Sequence, residues 1–426
     1  MSFLDFLDVL LSNFWTNFFI YILFLIAYIV LFRSRIWSIL DPLFIQVVSM
    51  ASASFCVYVL FYYNLVAVKF IYSFVLSEIC FLIGFFIVKN KKKETSQLND
   101  NNDISQLTLF VNIVGIIYII AQFYTFKAIG FILFEKDQNH AFAFEEHGIL
   151  RVFLNNSRVL FLIALYYRRH VVGSFRTIEK FAIAFTVFGS LMSGSKSALV
   201  LFFTIYIIVN YIYAARNKIK RIKFSPVIIV LLLISAVFAI YIKNNQNLSQ
   251  SVSLLYLRFV GGGDIFVLGY HDAVMAAIKE KSGLKYIFYP GIGTIFKWFF
   301  GMEPPSIIGV DITEYYTGMR DSGPNARHNY LGFYFWGYYG CIFSFICGFI
   351  VSWVRYSLPY KIKRARFEIV IFICNIIYLC TDLITDANFF VNQMFWAVFM
   401  FLFVYFITEL VHRFLFVSTA KLLSGA

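Results

Sequence analysis

Long apolar runs recur along this chain, separated by short loops rich in basic residues. A membrane-crossing helix needs about 20 mostly apolar residues. Runs of that kind predict helices near 13–32, 40–62, 65–88, 107–126, 151–167, 178–194, 197–214, 225–243, 327–354, 367–388 and 390–410. The first run is too long for the core of a cleaved leader, has no basic segment before it, and ends in Arg33 and Arg35, so it reads as a retained helix. The expectation is an all-α integral membrane protein with about eleven transmembrane helices, forming a single polytopic domain over residues 1–426.

Charge adds a topology. The basic clusters are Arg33/Arg35, Lys89 with Lys91–Lys93, Arg168–Lys180, Arg216–Lys223, Arg355–Arg366 and Arg413/Lys421, and each falls in an alternate loop. They hold 22 of the 36 Lys and Arg but only 7 of the 23 acids, which marks their side as cytoplasmic. The N-terminus is then outside and the C-terminus inside. Two longer stretches fall on the outer (periplasmic) side, a large loop at 244–326 and a smaller one at 127–150. Within the larger, 252–260 and 265–278 mix apolar and polar positions as interfacial helices do, and Tyr286, Phe288, Tyr289, Phe296 and Trp298–Phe300 suit a membrane surface.

Composition agrees: 61% of residues are hydrophobic and 14% charged, outside the range of soluble domains. The net charge of +13 is a loop-by-loop topology signal, and no nucleic-acid partner is expected. All six cysteines lie in or beside apolar runs without a C-x-x-C pair and read as small packing residues. There is no P-loop and no H-E-x-x-H. His271-Asp272, His140 and His147 lack ligand spacing, so neither metal nor cofactor is expected.

The candidate chemistry lies in cations assigned to the outer side. Lys196 sits in an outer turn, Ser193–Ser197. Arg151 and Arg158 are seven apart and share a helix face. Arg258 precedes Gly261-Gly262-Gly263, whose N–H groups suit a phosphate, and Arg320 and Arg327 flank the entry to the ninth helix. Guanidinium groups pair with phosphate oxygens two at a time. His328, at the outer mouth of that helix, has the near-neutral titration of a general base. Glu78 lies inside the third run, where a carboxylate must be protonated, paired or wet. Asp382 and Asp386, four apart, suit sugar hydroxyls.

Three ordered segments carry a resemblance. Gly194-Ser195-Lys196-Ser197-Ala198-Leu199 resembles the G-S-R-[small]-A-L segment of the O-antigen polymerase and ligase superfamily. Arg258 followed by Tyr289-Pro290-Gly291-Ile292-Gly293 is similar to its Arg and P-x-G-x-G. Arg327-His328-Asn329-Tyr330-Leu331, with Gly340 further on, resembles its H-N-x-x-L and glycine. The likeness spans roughly residues 180–350 and departs from the pattern at Lys196, a point charge where the family carries Arg.

The resemblance implies a fold like the C-type glycosyltransferases and a polymerase (Wzy class) in the bacterial inner membrane. Such an enzyme joins undecaprenyl-pyrophosphate-linked oligosaccharide repeat units, donor and acceptor, on the periplasmic face. It implies pyrophosphate contacts from Lys196, Arg258, Arg327 and Arg158, base chemistry from His328, and substrate contacts from Asn329, Arg320 and Asp386. A chain-length regulator and a flippase are partners of such systems. A ligase moving glycan to lipid A-core, and a flippase or other transporter of lipid-linked oligosaccharide, are the alternative readings.

Overall fold

The computed structural model describes residues 3–89, 103–131, 147–192, 198–217, 260–301, 303, 305–320, 323–361 and 365–414. Within them the architecture is helical throughout. In chain order the helices are α1 Phe3–Ser12, α2 Phe14–Phe32, α3 Pro42–Tyr62, α4 Val68–Ile87, α5 Ile104–Ile129, α6 Gly148–Val172, α7 Thr177–Met192 and α8 Ala198–Asn217. They continue with α9 Asp264–Gly269, α10 Asp272–Ala277, α11 Gly283–Phe300, α12 Ile308–Thr317, α13 His328–Trp336, α14 Gly340–Tyr356, α15 Leu358–Lys361, α16 Phe367–Leu379 and α17 Ala387–His412.

Among the described residues, nine helical stretches are long and apolar enough to cross a membrane. Each coincides with an expected run. The sixth expected helix is present as α7, whose 16 residues are short for a crossing. The eighth, 225–243, lies outside the described residues.

The chain divides into two compact units, each assembled from three segments: 1–91, 226–357 and 379–392 in the first, and 92–225, 358–378 and 393–426 in the second. In the second unit α5 packs along α6, with Gly115 beneath the Phe161 ring and Tyr118 stacked on it at 5.8 Å. Its basic end is tied by buried Arg168 on Glu179 at 2.9 Å, and by Arg366 on Glu409 at 2.9 Å.

In the first unit α3 is central. Asp41 caps it by accepting from the Leu43 N–H (3.0 Å), and Pro42 occupies the first turn, where a missing N–H costs nothing. Both Asp41 carboxylate oxygens also accept from Nη2 of wholly buried Arg355, at 2.8 and 2.7 Å. Every residue from Met50 to Val57 is buried, because α2 covers one side of α3 and the Gly261–Gly263 turn another. Helix α4 crosses α14 at Gly84 and Gly348. A Cβ on either would sit 2.1 Å from the Phe345 carbonyl oxygen or 2.2 Å from that of Phe81, so only glycine permits this approach.

Two departures from the expected topology shape the site. The stretch His328–Tyr356 is not one straight span. His328 Nδ1 lies 3.0 Å from Ser344 Oγ, whereas sixteen residues of continuous helix would separate them by about 24 Å. Gly337, at φ +58°, reverses the chain, and Gly332 packs directly on Gly340. Helix α13 therefore runs against α4, Phe333 on Phe70 and His328 on Phe81, and α14 returns alongside α4. His328 is not at an outer mouth; it lies fourteen residues into α4, level with Phe81.

The second departure concerns the expected outer loop 244–326. Its described part does not stand apart. The Gly261–Gly263 turn packs on the middle of α3, where a Cβ on Gly263 would meet Cys56 Sγ at 2.7 Å and Ala53 Cα at 3.0 Å. Hydropathy shows neither feature, because re-entrant segments are as apolar as true spans.

Candidate functional site

The re-entrant start of α13 places three consecutive polar residues, Arg327, His328 and Asn329, deep in the first unit; each is at most 1% exposed. Arg327 donates from Nη1 to Ser49 Oγ (2.7 Å) and to the Gly262 carbonyl (3.3 Å). Its strongest charge partner is Glu78. Asn329 donates to Glu78 Oε2 (2.8 Å), and Tyr28 donates to Glu78 Oε1 (2.7 Å) while standing 2.6 Å from Ser54 Oγ. One carboxylate on α4 thus gathers groups from α2 and the head of α13. His328 lies flat on Phe81, 4.6 Å between ring centroids, and its Nδ1 is taken by Ser344.

Among the described residues, three polar atoms on these neighbours have no hydrogen-bond partner: Arg327 Nε, His328 Nε2 and Asn329 Oδ1. A buried unpaired polar atom costs about 1–3 kcal/mol, so three on consecutive residues make this segment a candidate for contact with a ligand or water. Asp264, just past the glycine turn, is pushed up to about 7 by burial, against the lowering influence of Arg327.

A cavity of about 340 Å³ reaches this cluster from the side, between α2, α3 and α4. Tyr28, Ser54, Tyr58 and Glu78 bring polar groups to its lining, and the rest is apolar. Phe61, Val75 and Ile79 on its wall are about half exposed, on a surface that lipid would cover.

The remaining sequence candidates separate. Lys196 and Arg258 lie outside the described residues. Arg158 belongs to the second unit, donating to Asn155 Oδ1 (3.1 Å) and Ser190 Oγ (3.4 Å). Arg320 is exposed and paired with Glu314 (3.1 Å) and Asp311 (3.6 Å), so its charge is already met by loop acids. Asp386 accepts from the backbone N–H groups of Asn388 (2.9 Å) and Phe389 (3.2 Å), capping α17, and from that of Ala326. It positions the segment before Arg327 rather than presenting open oxygens, and burial lifts its carboxyl to about 6.

Tyr28, Ser49, Ser54, Asp264 and Ser344 are the members that sequence reading missed. The one available signal was the Ser49–Ser54 stretch (Ser-Met-Ala-Ser-Ala-Ser), three hydroxyls within an otherwise apolar span. Among the described residues no cluster of His, Cys, Asp and Glu is arranged to hold a metal ion. Compared with protein-family models, with curated proteins and with solved structures, the chain finds no match.

Proposed function

We propose that this protein is a membrane glycosyltransferase that polymerises undecaprenyl-pyrophosphate-linked oligosaccharide repeat units at the periplasmic face of the bacterial inner membrane. The observation that carries the reading is the head of α13. The segment that resembles the family's H-N-x-x-L is where a buried guanidinium, an imidazole with an unpartnered nitrogen and an intramembrane carboxylate meet.

Cleaving a sugar from a pyrophosphate develops negative charge on the leaving group, and a cation held in low dielectric stabilises it far better than one in water. Arg327 has that placement. Lys196 and Arg258, assigned on the motifs, would complete the pyrophosphate contacts. His328 Nε2 is the atom that would take the acceptor hydroxyl proton, with Ser344 on Nδ1 fixing the ring. Closing the site against water limits hydrolysis of the donor. The eleven-span fold, C-type architecture and inward C-terminus belong to the same proposal.

The test is the surface-polysaccharide ladder of cells lacking this gene, complemented with wild type, His328→Ala or Arg327→Gln. Collapse to core plus a single repeat unit, reversed only by wild type, is the expected outcome. A full ladder in both variants, at equal membrane abundance, would remove the assignment.

One observation favours a second reading, transport of the lipid-linked oligosaccharide. Re-entrant helices with irregular backbone at membrane depth are how many transporters build midplane sites. That reading predicts loss of all outward-facing lipid-linked sugar, not only of its polymer.

A further inference from the structure

Helices α4 and α14 run in the same direction and touch backbone to backbone, Gly84 against Phe345 and Gly348 against Phe81. Four residues before Gly84 and four before Phe345, about one helical turn back on each, stand Cys80 and Cys341. Residues four apart share a helix face, so the two side chains come to the same seam. There the thiols of Cys80 and Cys341 hydrogen-bond to each other. Both are free thiols, and of the six cysteines these two alone are not buried.

A disulfide needs β-carbons about 3.5–4.5 Å apart. A seam that glycines close to backbone contact, with two thiols already meeting one turn away, brings that separation within reach of side-chain rotation. The surroundings select the oxidant. Cys80 lies twelve residues after Val68, the first of α4, and so about 18 Å below the outer end of that helix. Ile83 (53% exposed) and Ile342 (57% exposed) flank the pair on a surface that lipid would cover. Exchange with a water-borne disulfide requires a thiolate, and a charge is disfavoured at that depth. An oxidant that dissolves in hydrocarbon and takes up protons together with electrons avoids the charge.

We propose that Cys80 and Cys341 are a modification site, joined as a disulfide by a lipid-soluble quinone. Two S–H bonds break and one S–S bond forms, and the two electrons and two protons released convert the quinone to its hydroquinone. The bond would act on the polar centre through its supports. Phe81, next to Cys80, carries the His328 ring, and Ser344, three residues after Cys341, stands 3.0 Å from His328 Nδ1. Oxidation thus ties together the two helices between which the imidazole is held, and anchors the α14 arm of the hairpin to α4. This holds whatever reaction His328 serves, so it stands apart from the polymerase reading.

The experiment uses the reduced full chain in lipid nanodiscs, exposed in parallel to decylubiquinone, to oxidised glutathione and to no oxidant. Remaining thiols are capped with N-ethylmaleimide in denaturant, and the digested chain is read by mass spectrometry. The expected result is a peptide pair joined through Cys80 and Cys341, about tenfold more abundant with the quinone than with glutathione. Cys56, Cys347, Cys374 and Cys380, all buried, should be capped in every sample. The quinone-treated chain should also unfold at a higher temperature than the reduced one, because the bond closes a long loop of the unfolded chain. Cys80→Ser should lose both the joined pair and the shift in temperature.

Capped thiols at both positions after quinone treatment, or quinone adducts without a sulfur–sulfur bond, overturn the proposal. Equal yields from the two oxidants overturn the lipid-soluble oxidant, since they would place the pair in water. An unchanged unfolding temperature in the joined chain overturns its hold on the hairpin. The wild-type chain decides each of these even if the variant fails to fold.

Discussion

At the scale of single residues, the polar centre is a balance between Arg327 and Glu78 inside apolar surroundings. Arg327 is bonded to Ser49 and Gly262 and Glu78 to Tyr28 and Asn329, so the two charges act on each other across the cluster and not by direct contact, and removing one leaves the other less compensated. Arg327→Ala should therefore destabilise strongly in a detergent unfolding titration, and adding Glu78→Gln should restore much of the loss. Additive losses would show that the two charges do not act on each other. Asp386 gives a pH effect of definite sign. Its folded form keeps the proton up to about 6, while an unfolded aspartate releases it near 3.8, so the folded state binds more protons between these values. The contribution is complete below about 4 and is lost as pH rises through 6. Asp386→Asn should flatten the fall in thermal midpoint between pH 4 and 6.5; an unchanged slope would exclude this carboxyl as its source.

At the scale of elements, glycine sets how closely the helices approach. Alanine at Gly84 or Gly348 must push α4 from α14 against backbone atoms that cannot yield, so a loss of about 1–3 kcal/mol is expected. Gly148→Ala, with nothing within 4 Å of the added carbon, should leave the melting temperature unchanged. The hairpin is as testable: in a chain without its native cysteines, His328→Cys with Ser344→Cys should be joined by a short bifunctional methanethiosulfonate reagent. Failure to join them under conditions where each single cysteine is labelled would point to the straight helix, which holds the two about 24 Å apart. Hydrophobic runs made the nine candidate spans legible as apolar stretches, because length and apolarity are what lipid demands. They could not reveal the reversal at Gly337, since Tyr338, Tyr339 and the flanking aromatics read as more of the same span. The site was half legible for the same reason. Arg327, His328 and Asn329 stood out as polar residues in a motif, while Tyr28, Ser49 and Ser344 come from other helices and meet them only through folding.

At the scale of the whole molecule, the basic clusters that set the expected orientation also do structural work. Arg35, Arg168, Arg216 and Arg355 are all buried, each anchoring helix ends. Arg35 lies among the rings of Phe85, Phe86 and Tyr356, and Arg216 donates to the Pro359 carbonyl (2.9 Å). Charges fixed in this way are less free than solvated loop charges to cross the membrane, so orientation and packing select the same residues. In the first unit α4 and α14 run the same way, which sets Asn64, Lys69 and Tyr338 at one end and Arg35, Lys89 and Arg355 at the other. The charge pattern assigns the first end to the periplasm. Single cysteines at Tyr339 (80% exposed) and at exposed Lys89, in a chain without the native six, test this directly. An impermeant maleimide should label Tyr339→Cys in intact cells, and Lys89→Cys only after the membrane is opened. Labelling of both from outside would break the parallel course of α4 and α14. The reversed pattern would keep the fold and invert it in the membrane, placing the Asn64 and Lys69 end on the cytoplasmic face and removing the periplasmic polymerase.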